Sequence, residues 1–177
     1  ISQTDFFKNQ TVENQESLIH FYDKGYTVIR NFITPEEADQ INSEIQAMLD
    51  NKQIEFKYGN KLMFALHKSA LIKKIGLEPS LLKLLDVLMD GKTKLFQSIN
   101  FINGSQQKTH SDSIHMTTFP LGRLIGVWIA LEDVQADQGA LRYYPGSHKL
   151  PYYMNSDCDN DGDSIMLGNK GHKGYEV

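Results

Sequence analysis

The sequence predicts an α+β fold with a mainly β core, because its two parts follow different hydrophobic periods. Residues 11–90 carry apolar side chains at helical spacing, whereas residues 93–168 alternate short apolar runs with turn-forming residues. The chain has 177 residues, the size of one domain. We therefore expect residues 1–177 to form a single domain in which helices pack outside an antiparallel sandwich or barrel.

Three helices and one short strand are predicted in the first part. An apolar stripe at helical spacing ends at Gly25, and the β-branched segment Tyr26–Arg30 then favours a strand. In Thr34–Glu37 the threonine is an N-cap, the proline takes the first helical position and the glutamate completes a capping box. A third helix begins at Pro79 and ends at Gly91. The apolar positions on these helices are Leu18, Ile19, Phe21, Tyr22, Ile41, Ile45, Met48, Leu49, Leu81, Leu82, Leu84, Leu85 and Leu88.

Three longer strands are predicted in the second part, at Lys94–Ile102, Leu124–Leu131 and Ala140–Tyr144. The middle one is apolar on both faces, which favours a central position in a sheet. The turns that separate the strands are predicted at Asn103–Gly104, Asp137–Gly139 and Pro145–Gly146.

Composition excludes several classes of protein. The net charge of −4 and the pI near 5.8 argue against general nucleic-acid binding, which needs a basic face. The sequence contains no run of about 18 apolar residues, so it predicts no membrane-spanning helix. Cys158 is the single cysteine, and because residues 1–10 lack a basic region followed by an apolar stretch, we expect no signal peptide. We expect a cytoplasmic protein with a small-molecule substrate, and neither a nucleic-acid nor a membrane partner.

The most informative segment is His110-Ser-Asp112. Residues i and i+2 of an extended strand point to the same side, so this imidazole and this carboxylate can converge on one point. An imidazole and a carboxylate make up two thirds of the two-His-one-carboxylate triad, which holds Fe(II) and leaves positions open for oxygen and an organic ligand. Alone, the motif is a weak signal, and it then favours a surface strand pair or a hydrogen-bonded His–Asp pair over a metal site.

Further motifs add specificity to this pair. In this sequence they are Leu95–Ser98 before a turn, Trp128–Leu131, the Gly139-x-Leu141 step, and Pro145–His148 followed by Lys149. In this combination the chain resembles the phytanoyl-CoA dioxygenase family of Fe(II)- and 2-oxoglutarate-dependent oxygenases, over roughly residues 15 to 150.

The resemblance implies a fold and a set of site residues. The implied fold is a double-stranded β-helix, a cupin-like jelly roll, with packed N-terminal helices. His110 and Asp112 would ligate iron, Trp128 would line the 2-oxoglutarate pocket, and Asn100 would face the cosubstrate. His148 would brace its turn and not bind metal. The implied cofactors are Fe(II), 2-oxoglutarate as cosubstrate and molecular oxygen, and the carboxylate at Asp112 favours hydroxylation.

The family pattern also needs a distal histidine and then an arginine for the far carboxylate of 2-oxoglutarate. Arg142 is the last arginine of the sequence, so we expect these closing strands beyond Val177. His172 is the in-chain candidate for the third ligand, although its glycine neighbours favour a turn. Two alternatives stay open: a non-catalytic jelly roll that binds a small molecule, and a cupin-like enzyme that uses another metal.

Two charged segments have competing interpretations. Asp157–Asp163 is similar to a calcium loop, but Gly168 stands where that loop needs glutamate, so a solvated acidic loop is the better interpretation. The lysines of the middle segment form either a solvated face or a patch for an anionic substrate such as a phosphate or CoA ester. These lysines are Lys57, Lys61, Lys68, Lys73 and Lys74.

Overall fold

The computed structural model describes residues 5–104, 107, 110–112, 116, 118–151 and 175–176. The chain divides into two compact units. The first comprises Ile1–Ser105 and Ile129–His148, and the second comprises Gln106–Trp128 and Lys149–Val177. The expectation of a single domain concerns the whole chain and stays a prediction.

Helices dominate the first unit. They are α1 (Asp5–Lys8), α2 (Val12–Lys24), α3 (Pro35–Asp50), α4 (Ala70–Gly76) and α5 (Pro79–Leu88), with short 3-10 helices at Ala65–His67 and Ser147–Lys149. None of the helices in the described ranges is both long and apolar enough to cross a membrane.

The predicted start of α3 is confirmed. The hydroxyl of Thr34 accepts a hydrogen bond from the Glu37 N–H at 3.2 Å, and the Glu37 carboxylate accepts one from the Thr34 N–H at 3.0 Å. Pro35 occupies the first helical position. Two otherwise unpaired backbone donors are thereby satisfied, which fixes where the helix begins.

The predicted end of α2 at Gly25 is confirmed, with φ of +83°. Of its predicted apolar stripe, Leu18 is buried, but Ile19 and Tyr22 are exposed. The strand predicted at Tyr26–Arg30 is wrong. The Tyr26 carbonyl accepts a 2.8 Å hydrogen bond from Nδ1 of His20 instead of joining a strand ladder.

A three-stranded antiparallel sheet follows α3 in the first unit, in the order β1 (Phe56–Lys57), β2 (Lys61–Met63), β3 (Ile99–Asn100). The register pairs Leu62 with both Phe56 and Asn100. The strand predicted over Lys94–Ile102 is therefore much shorter than expected. Only its Ile99–Asn100 portion forms a ladder, because β2 offers just three residues to pair with.

The hydrophobic core of the first unit lies between α3 and this sheet. Its buried members are Ile41, Ile45, Met48, Leu62, Ala65 and Ile75. The predicted inner face of α3 is thus confirmed, with Leu49 packed at the margin of the cluster. Ile129 and Leu131 also pack there.

The strands predicted at Leu124–Leu131 and Ala140–Tyr144 are wrong in the described structure. Val127, Leu141 and Tyr144 are exposed, and no ladder forms in either segment. Strand-forming side chains stabilise a strand only when a neighbour supplies hydrogen bonds and packing, and none is present among the described residues. The turns at Asp137–Gly139 and Pro145–Gly146 are confirmed, with positive φ at both glycines.

The second unit contains a short parallel pair, β4 (Thr118–Phe119) with β5 (Tyr175–Glu176). The buried hydroxyl of Thr118 donates to the Pro120 carbonyl at 2.9 Å and accepts from the Arg123 N–H at 3.1 Å, which closes the turn after β4. The α+β class holds for the described residues, whose strands are too few to establish the predicted double-stranded β-helix.

Candidate functional site

His110 and Asp112 converge, as the motif predicts. Nε2 of His110 lies 3.4 Å from Oδ1 of Asp112. The His110 side chain is 22% exposed and that of Asp112 is 60% exposed. The imidazole is thus partly enclosed, while the carboxylate remains open to an incoming ligand. Both residues belong to the second unit.

The local backbone at Asp112 differs from the extended strand that the motif suggested. The Met116 N–H donates to the Asp112 carbonyl at 3.0 Å, and Asp112 takes part in no strand ladder among the described residues. The spacing of the motif thus predicted that the two side chains lie close together, while their role as metal ligands stays a prediction.

Gly126 lies against the second carboxylate oxygen of Asp112, in the same unit. A Cβ atom added at Gly126 would lie 3.5 Å from Oδ2. Sequence reasoning missed this neighbour. The available signal was an isolated glycine inside an apolar run, which indicates a close approach of another group to the backbone.

Asn100 lies on β3 of the first unit, opposite Leu62. Directly paired residues of an antiparallel sheet project to the same face, so Asn100 shares the face of a fully buried leucine. Its Oδ1 is buried and accepts no hydrogen bond from the described residues. An unpaired buried acceptor is costly, so a donor from a ligand or a water would be favourable here. The role of Asn100 toward the cosubstrate stays a prediction.

Trp128 is the last residue of Gln106–Trp128, the first segment of the second unit, and it is 52% exposed. Half of its indole surface is available for contact with a ligand. Its predicted place beside 2-oxoglutarate stays a prediction.

His148 has a structural role. Its Nε2 donates to the Tyr22 carbonyl at 3.0 Å, and the Gly146 N–H donates to the Lys24 carbonyl at 2.8 Å. Both carbonyls belong to the last turn of α2, which lacks partners of its own within the helix. The Pro145–His148 turn thus supplies donors to the C-terminal end of α2.

His172 and the Asp157–Asp163 loop lie outside the described residues, so the predictions on them remain open. Within the part of the chain that the structure describes, no group of three His, Cys, Asp or Glu side chains is placed to hold a metal ion. The pair of His110 and Asp112 is the part of the predicted triad that the described residues contain.

The comparisons with known proteins agree with the motifs. The family model for phytanoyl-CoA dioxygenase (PhyH) matches residues 21–172. The phytanoyl-CoA dioxygenase domain-containing protein 1 of Mus musculus is 28% identical over 147 residues, covering 82% of this chain and 44% of the relative. Its namesake in Danio rerio is 24% identical over 183 residues, covering 72% and 63%.

An ectoine dioxygenase of Nocardia farcinica is 26% identical over 153 residues, covering 77% of this chain and 51% of the relative. The chain thus spans about half the length of the curated relatives it matches. No solved structure is significantly similar to it. Because the family model covers most of the chain, this protein belongs to the phytanoyl-CoA dioxygenase family.

Proposed function

We propose that this chain carries the iron-binding motif of an Fe(II)- and 2-oxoglutarate-dependent dioxygenase that hydroxylates a small organic substrate. The observation that carries the proposal is the 3.4 Å separation between Nε2 of His110 and Oδ1 of Asp112. Family membership and relatives named as dioxygenases support it.

The donor set fits ferrous iron. Imidazole nitrogen and carboxylate oxygen are the ligand types of the facial triad. Donor atoms bonded at about 2.1 Å in neighbouring positions around one ion lie about 3 Å apart, close to the observed separation. When bound, Fe(II) would supply oxygen activation coupled to oxidation of 2-oxoglutarate.

The remaining residues would position the reactants. The exposed carboxylate of Asp112 leaves space beside the metal position, and Gly126 keeps side-chain atoms away from Oδ2. The exposed indole of Trp128 would contact 2-oxoglutarate. Asn100 belongs to the first unit, and its Oδ1, which has no hydrogen-bond donor among the described residues, would accept a hydrogen bond from a bound group or from water.

Replacing the two proposed ligands tests the assignment. His110→Ala and Asp112→Ala should each weaken Fe(II) binding by more than about 100-fold, because loss of a direct ligand exceeds the effect of losing an outer-shell partner. Anaerobic Fe(II) titration measures the binding, and succinate release from 2-oxoglutarate measures turnover. His148→Gln is the matched control, because His148 contacts a backbone carbonyl of α2.

The outcomes separate the proposal from its alternatives. A small-molecule-binding jelly roll would release no succinate with or without iron. A cupin-like enzyme using another metal would lose metal binding in the same variants but would not depend on 2-oxoglutarate or oxygen. Unchanged Fe(II) affinity in His110→Ala would overturn the assignment of the ligand.

A further inference from the structure

A strongly basic segment stands out from the acidic chain. Residues 51–77 contain six lysines and one glutamate, a net charge of +5, whereas the whole chain carries −4. Five of these lysines are exposed and the sixth, Lys61, is half-buried. Such charge asymmetry within one chain indicates an interaction with an anionic partner.

Two of the six lysines lie on the hairpin formed by residues 56–61, here called the lysine hairpin. Lys57 and Lys61 are direct register partners across β1 and β2. Like charges placed directly opposite each other destabilise a sheet. The contact of Lys57 with Glu55, at 3.8 Å between two exposed side chains, offsets little of this repulsion.

The same hairpin presents aromatic side chains to solvent. Tyr58 at its tip is 83% exposed and Phe56 is 50% exposed. Tyr58 also adopts φ of +50°, a left-handed conformation that is unfavourable for a bulky residue. A positive φ at both Tyr58 and Gly59 is typical of a tight hairpin turn, so the feature that indicates a contact surface is the exposure of the two aromatic rings.

The hairpin is held in place at its turn. Nδ2 of Asn60 donates to the carbonyls of Asn103 and Gly104, at 3.3 and 2.9 Å. β2 also pairs with β3 on its other side. The lysines and aromatics are therefore displayed by an anchored element.

We propose that the lysine hairpin docks on a membrane surface that contains anionic phospholipid. Lys57 and Lys61 contact lipid phosphates, and Tyr58 and Phe56 enter the headgroup region, where amphipathic aromatic rings are favoured. This proposal departs from the expectation of no membrane partner, which considered a spanning helix and not a peripheral contact. It is independent of the proposed iron site.

Vesicle binding by the whole 177-residue chain tests the proposal. The chain should co-sediment with vesicles of phosphatidylserine and phosphatidylcholine, but not with phosphatidylcholine alone. The double variant Lys57→Gln/Lys61→Gln should lower the partition coefficient about 30-fold, at about fivefold per lysine. Tyr58→Ser should lower it as well. Added salt should weaken binding of the parent chain, a readout that needs no variant.

The matched control is Lys83→Gln/Lys94→Gln, which removes two exposed lysines and the same net charge outside the hairpin. It should leave partitioning unchanged.

Equal losses in both double variants would overturn the proposal by showing general charge attraction. Release by inorganic phosphate, but not by chloride of equal ionic strength, would also overturn it, because the site would then bind a small anion. Equal binding to neutral vesicles would overturn it too.

Discussion

At the scale of single residues, both the backbone conformation and the neighbouring side chains require glycine at position 25. Its φ is +83°, and a Cβ atom there would overlap Nδ1 of His148 and the hydroxyl of Tyr143. We expect Gly25→Ala to lower the free energy of unfolding by at least about 2 kcal/mol, from backbone strain and displacement of the His148 turn. Urea unfolding measures this change.

Gly59 provides the control for that prediction. Its φ is +89°, yet no atom of the described residues lies within 4 Å of an added Cβ. Gly59→Ala should therefore lower the free energy of unfolding by only about 1 kcal/mol, from backbone strain alone. Equal effects at the two glycines would show that the contact with His148 contributes nothing.

Asn100 carries the second prediction at this scale. Its buried Oδ1 has no partner among the described residues. Asn100→Val should raise the free energy of unfolding by about 1 kcal/mol, because it removes that acceptor and adds a β-branched residue to a strand. If Asn100 faces the cosubstrate, the same variant weakens 2-oxoglutarate binding, which calorimetry measures.

The contrasting variant is Asn60→Ala. Asn60 donates two hydrogen bonds, so its loss should lower the free energy of unfolding by about 1 kcal/mol. If Asn100→Val destabilised the chain as much as Asn60→Ala, Oδ1 of Asn100 would have a partner in solution.

At the scale of elements, the C-terminal end of α5 is held by Asp86. Nζ of Lys92 donates to its Oδ2 at 2.7 Å, and the N–H and hydroxyl of Thr93 donate to its Oδ1 at 2.7 and 2.8 Å. The helix ends in a Schellman motif, with Asp90 in the left-handed conformation and the Gly91 N–H donating to the Asp86 carbonyl at 2.9 Å. Asp86 thus connects the helix to the segment that follows it.

These hydrogen bonds predict a pH dependence. The bond from Lys92, and then those from Thr93, lower the pKa of Asp86 from 3.8 to about 2. Because the pKa is lower in the folded state, its stabilising effect is complete above about pH 4 and is lost as pH falls toward 2. Asp86→Asn should therefore lower stability near neutral pH and flatten the pH profile between 4 and 2. Urea unfolding across that range measures it.

Asp39→Asn serves as the comparison, because Asp39 is an exposed carboxylate on α3. The change in the slope of the profile between pH 4 and 2 should be larger for Asp86→Asn than for Asp39→Asn. A parallel change in both variants would mean that the contacts around Asp86 do not favour its charged form.

The start of α3 was predicted better than the strands, because it depends on residues that are close in sequence. The start of α3 depends on Thr34, Pro35 and Glu37, which are neighbours in sequence, so the local pattern was sufficient. A strand depends on a partner that may be distant in the sequence. Tyr26–Arg30 and Leu124–Leu131 have strand-like composition but form no ladder in the described structure. Composition alone could not supply that information.

At the scale of the whole molecule, the candidate site was predicted in part. His110 and Asp112 are two positions apart, so their convergence could be read from spacing. The approach of Gly126 to Asp112 depends on how the chain returns 14 residues later, which no local pattern encodes. The roles of Asn100 and Trp128 were predicted from the family resemblance, and they stay predictions.

The hydrogen bond from His148 to the Tyr22 carbonyl joins positions 126 residues apart. During synthesis, α2 emerges early, but its last carbonyls cannot meet these donors until the Pro145–His148 turn has also left the ribosome. Closing so long a loop is slow compared with forming a helix. A nascent chain interrupted before that turn would keep the end of α2 frayed and its apolar neighbours available to chaperones.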